Sequence, residues 1–153
     1  MKIIGNKFLT SYNVILTALM ALLGFATSCE RFGGTEYGVP HASFIVKGKI
    51  VSAESNNPVP NIKVRMQIDS LSVQHDSAYS DSKGNYQVVD AFGFPISHSY
   101  LITFTDIDGA ANGEFQTLDT VVEFKDPVYT GGDGHWNSGE TQKEFNVVLK
   151  PKK

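Results

Sequence analysis

Cysteine is nearly absent from this chain: Cys29 is the only one in 153 residues. An intrachain disulfide framework, an iron–sulfur cluster and a thiolate zinc site are thereby excluded. Basic residues are scarce as well, with 13 Lys and Arg against 16 Asp and Glu. Loss of Lys2 and Lys7 with an export signal leaves 11 against 16, a net charge of −5. A nucleic-acid partner is not expected, because neutralising phosphates takes a basic surface. His41, His75, His98 and His135 have no metal-ligand spacing of the H-E-x-x-H kind, and no G-x-S-x-G nucleophile motif is present. The sequence therefore reads as non-enzymatic and without a resident cofactor, calcium excepted as set out below. Long apolar runs are limited to one, Val14 to Phe25, and no helical periodicity follows it.

That run is informative by its length. Twelve residues at a helical rise span about 18 Å, short of the roughly 30 Å of a bilayer core but suited to a signal peptide. Lys2 and Lys7 supply the basic start, and the small residues Ala26, Thr27 and Ser28 lead directly to Cys29. This arrangement resembles the bacterial lipobox, in which the thiol is acylated before the signal is removed. The resemblance implies a lipoprotein with palmitate-type acyl chains on Cys29, anchored in the cell envelope, most simply at the outer membrane of a Gram-negative bacterium. Residues 1–28 are expected to be the signal, 29–42 a flexible tether, and 43–153 the folded domain.

Period-2 alternation dominates that domain. Phe44, Val46 and Ile50 alternate with Lys47 and Lys49, and Ile62, Val64, Met66 and Ile68 alternate with Lys63, Arg65, Gln67 and Asp69. Between them Ser55 to Asn61 is dense in Asn and Pro, a turn cluster that suggests a hairpin. Further strands are expected over 71–80, 85–90, 100–105, 118–124 and 145–150, with Asp81-Ser82-Lys83-Gly84 as a turn. The pattern predicts an all-β fold, a seven-stranded antiparallel β-sandwich, after the N-terminal signal helix.

Two loops carry candidate chemistry. In Asp106-x-Asp108-Gly-x-x-Asn112-Gly, three oxygen-bearing side chains and two glycines share a short segment, as in loops that coordinate calcium; the ordinary alternative is an Asx turn. In Tyr129 to Glu140, Tyr129, His135 and Trp136 could meet a glycan or a protein partner. The ordinary alternative is that Trp136 caps the sandwich. Lys47, Lys49, Lys63 and Arg65 form a cationic stripe if their strands pair, or else a solvated sheet face.

Val46-Lys47-Gly48, the turn at Asn57-Pro58-Val59-Pro60, Ile62-Lys63-Val64 and the segment Ser80 to Tyr86 resemble carboxypeptidase regulatory-like domains. That resemblance implies a transthyretin-like sandwich. A second resemblance runs through most of the chain: Tyr12-Asn13, Leu23-Gly24-Phe25, Glu36 to Pro40, Phe44 to Lys49, Asp106 to Phe115, and Trp136 with Gly139-Glu140. These segments are similar to the radical SAM-associated lipoprotein family, the rSAM/lipoprotein system. It implies a binding, structural or substrate role beside a radical SAM enzyme, with a glycan-binding surface lipoprotein as the alternative.

Overall fold

The computed structural model describes residues 2–22, 38–68 and 74–152. Two compact units divide at Gly38 and Val39. The first contains helix α1 (Lys2–Leu22), which takes in most of the expected apolar run. No helix among the described residues is long and apolar enough to cross a membrane. Cys29 lies outside the described residues.

The second unit is a β-sandwich with nine strands among the described residues. They are β1 (His41–Ser52), β2 (Ile62–Ile68), β3 (Gln74–Tyr79), β4 (Asn85–Gly93), β5 (His98–Asp106), β6 (Leu118–Phe124), β7 (Thr130–Gly131), β8 (Asn137–Glu144) and β9 (Val147–Leu149). One sheet has the order β4-β1-β8-β7 with β9 also on β1, and the other has the order β3-β2-β5-β6. The all-β sandwich expected from alternation is what forms. Its pairing is not wholly antiparallel, because β1 runs parallel to both β8 and β9.

Alternation locates the core. Ile62, Val64 and Met66 are buried while Arg65 is exposed, and Phe44, Val46 and Ile50 face them from β1. Tyr100, Ile102 and Phe104 of β5, with Val122 and Phe124 of β6, complete the filling. Each such side chain contributes about 1.5–3 kcal/mol by leaving water.

The turn cluster at 55–61 does not join a hairpin. β1 and β2 lie in different sheets, and the turn carries the chain across the sandwich. It is fixed by Ser80, whose buried hydroxyl donates to the Val59 carbonyl at 2.8 Å and accepts from the Ile62 N–H at 3.0 Å. Asn56 and Asn61 adopt left-handed backbone, at φ 58° and 61°, where Asn is tolerated. The sheet begins at His41, so His41 and Ala42, expected in the tether, belong to β1.

Candidate functional site

The edges of the two sheets meet where β3 lies against β4. Asp76 on β3 accepts the Val89 N–H at 2.8 Å, which closes this side of the sandwich. Beside that seam a groove of about 840 Å³ opens. Its residues include Lys47, Lys49 and Val51 from β1, Asn85 and Gln87 from β4, Glu144 and Val148 from β8 and β9, and Tyr79 from β3. The volume lies in the range of ordinary ligand sites, roughly 300–1,000 Å³. Tyr79 is 54 % exposed, so its ring is available to a ligand. Ammonium groups, side-chain amides and a carboxylate together can donate to and accept from a hydroxyl-rich molecule.

The floor of the groove is held by backbone. Here β1 changes partner from β8 to β9, and the link Phe145–Asn146 crosses over Gly48. The Phe145 N–H donates to the Lys47 carbonyl at 2.8 Å, the Lys49 N–H donates to Asn146 Oδ1 at 2.8 Å, and the Tyr86 hydroxyl donates to the Phe145 carbonyl at 2.6 Å. A Cβ at residue 48 would collide with that carbonyl, which explains the glycine.

Lys47 and Lys49 project from the outer face of one sheet, whereas Lys63 and Arg65 project from the outer face of the other. The single cationic stripe expected from a β1–β2 hairpin is therefore corrected: those strands do not pair. Sequence reasoning also missed the groove. One side of it comes from Glu144 at the end of β8, a strand whose polar sequence has no apolar period.

At the far end from His41, the Asp106 loop is held by its own hydrogen bonds. Asp106 Oδ1 accepts the N–H groups of Asp108 and Gly109 at 3.2 and 3.1 Å, and Oδ2 accepts that of Phe115 at 2.8 Å. Asp108 Oδ2 accepts from the amides of Asn61 and Asn112 at 3.0 and 2.6 Å. Those two donors, Asn61 first, hold the Asp108 carboxyl below its ordinary range. Asn112 thus presents its N–H₂ group, not its oxygen, to Asp108. This is the geometry of an Asx turn, and no group of three His, Cys, Asp or Glu suited to a metal occurs among the described residues.

The Trp136 loop is ordered by Asp133. Its Oδ1 accepts the N–H groups of His135 and Asn137 at 2.8 and 3.2 Å, which lowers the Asp133 pKa. The Trp136 carbonyl accepts the His41 N–H at 2.9 Å, and its side chain is 37 % exposed. Tyr129 instead packs edge-on against Phe44 at 5.9 Å, with its hydroxyl buried and without a hydrogen-bond partner among the described residues. Tyr129, His135 and Trp136 therefore do not form one exposed platform.

No protein-family model and no curated protein matches this chain. Solved structures do resemble it. The 5-hydroxyisourate hydrolase of Klebsiella pneumoniae is 12 % identical over 71 % of this chain and 91 % of its own, with a TM-score of 0.47. An (S)-allantoin synthase is 9 % identical over 72 % of this chain and 42 % of its own, with a TM-score of 0.46. A Bacteroides uniformis protein described as carbohydrate-binding is 16 % identical over 73 % of this chain and 42 % of its own, with a TM-score of 0.40. The β-sandwich itself is read from the strands and their pairing rather than from these likenesses. The non-enzymatic expectation is corrected here: two of these three solved structures are of enzymes.

Proposed function

We propose that this chain is a cell-envelope lipoprotein, acylated on Cys29, whose β-sandwich binds a saccharide in the groove on the outer face of its five-stranded sheet. The groove carries the proposal, because it joins an exposed Tyr79 ring to the polar groups of Lys47, Lys49, Asn85, Gln87 and Glu144. Aromatic faces stack on sugar rings, and convergent polar groups fix their hydroxyls. The Bacteroides uniformis likeness agrees in fold but adds nothing about the ligand. The test is a glycan array probed with the full-length protein, followed by calorimetry on the oligosaccharides retained. Tyr79→Ala should weaken binding by about tenfold, or about 1.4 kcal/mol. Unchanged binding in that variant would move the site elsewhere, and an empty array would sink the saccharide reading.

The segments that resemble radical SAM-associated lipoproteins, Asp106 to Phe115 among them, support a second reading in which the domain is partner or substrate of such an enzyme. Its readout is the intact mass of the native protein from cells with and without the neighbouring enzyme. A mass difference beyond lipidation is expected, and identical masses would remove the substrate role.

A further inference from the structure

The strands are arranged so that the starts of β1, β5 and β8 and the ends of β4 and β6 share one end of the sandwich. That end is unusually apolar on its outside. Phe92 and Val128 are each 81 % exposed, with Val39, Phe94, Ile96 and the half-covered Trp136 belonging to the same end.

These side chains are presented by fixed backbone. A bulge between Ala42 and Phe44 turns Phe92 outward, and its ring rests on His41 at 5.6 Å between centroids. The Ile96 N–H donates to the Phe94 carbonyl at 2.8 Å, and His98 Nε2 lies 2.8 Å from the same oxygen. The Asp126 N–H donates to the Ser97 hydroxyl at 2.9 Å, tying the segment after β6 to this loop. The core beneath is already filled by Phe44, Tyr100 and Phe124, so it has no room for the outer residues.

We propose that this end of the sandwich is a lipid-contacting surface, which rests on the interface of the bilayer that holds the anchor. The occupant follows from where the chain enters the domain. Only ten positions separate Cys29 from Val39, which begins the domain at this end. Ten residues reach at most about 36 Å. With the anchor on Cys29, that bound keeps the apolar end within reach of the membrane, where a tether makes even weak contact effective by raising the local concentration. Phe and Trp are suited to the interface, since their rings are accommodated at headgroup level. The saccharide groove lies along the outer sheet face rather than at this end, and lipid contact would leave it open.

This inference rests on acylation of Cys29, and the experiment separates the two. The natural lipidated protein is reconstituted into phosphatidylethanolamine–phosphatidylglycerol vesicles with and without bromine on the acyl chains. Trp136, the only tryptophan, is the probe. Expected is loss of Trp136 emission in brominated vesicles, reversed in a variant carrying Phe92→Ser, Phe94→Ser and Ile96→Ser that still floats with the vesicles. Because the three residues are exposed, the variant should fold, and Val128→Ser alone, with a smaller reversal, guards against the case in which it does not. A wild-type protein that floats and keeps full emission overturns the lipid contact while leaving the anchor intact. So does quenching that neither variant alters. A protein that lacks acyl mass and does not float overturns the anchor reading, and the lipid-contacting surface with it.

Discussion

The Tyr100 hydroxyl donates to Asp90 Oδ2 at 2.8 Å in the buried interior, and the bond joins β5 in one sheet to β4 in the other. Asp90 is 3 % exposed and its Oδ1 accepts the Phe92 N–H at 3.2 Å, so the carboxylate also shapes the bulge that turns Phe92 outward. Tyr100→Phe removes a donor to this buried group and should cost about 1–3 kcal/mol in denaturant unfolding. Asp90→Asn keeps an acceptor for the hydroxyl and should lose less. Equal stability of wild type and Tyr100→Phe would show that the bond contributes nothing net.

Alkaline pH should unfold the domain through its buried tyrosines. Burial, then the bond to Asp90, raises the Tyr100 pKa well above its ordinary 10.0, and burial alone does the same for Tyr86. A raised folded-state pKa means that the unfolded chain loses its protons first. Stability is therefore complete below about pH 10 and declines as pH rises toward the folded-state values. Melting temperatures across that window should fall less steeply in Tyr86→Phe than in wild type.

Calcium should leave the Asp106 loop unaffected. Its carboxylates already accept backbone and amide N–H groups, so melting in calcium and in chelator should coincide. Asp106→Ala should cost roughly 0.5–1.5 kcal/mol for each of the three N–H groups it deserts. A calcium-dependent rise in melting temperature, lost in Asp108→Ala, would reinstate a metal site.

Gly48→Ala should disrupt the crossover at Phe145, since the added methyl has only a backbone carbonyl to meet. A destabilisation of about 1–3 kcal/mol is expected, the usual range for overpacking, and urea titration measures it. Ligand binding in the groove should weaken in parallel, because the same crossover forms its floor.

Labelled palmitate should enter the wild-type protein in cells and not Cys29→Ser. The variant should also leave the washed membrane fraction, unless it keeps its uncleaved signal and the corresponding larger mass. Labelling that survives in Cys29→Ser would place the lipid on another residue.

β2 was legible because every second residue is apolar, and the structure buries Ile62, Val64 and Met66 and half-buries Ile68. The Asp81 turn was legible too, as Asp81 accepts the N–H groups of Lys83 and Asn85 at 2.8 Å and Gly84 takes a φ of 76°. β8 was not, for a physical reason: Asn-Ser-Gly-Glu-Thr-Gln-Lys-Glu buries little besides Gly139, so it leaves no apolar period. It is held by backbone pairing with β1, and backbone pairing is common to all sequences. The groove was hidden with it. Turn chemistry at 55–61 was read correctly, but nothing in a turn states whether the next strand stays in the same sheet.

Parallel pairing of β1 with β8 and β9 also governs when the domain can close. Lys49 and Asn146, bonded across that crossover, are 97 positions apart. During synthesis β1 emerges early, and β4 can cover one of its edges, but the other edge waits for β8 and β9. Contacts of such long sequence separation slow folding, because loop-closure entropy is lost before they form. Until β8 and β9 arrive, β1 presents an unpaired row of N–H and C=O groups, an edge on which any other extended chain could add.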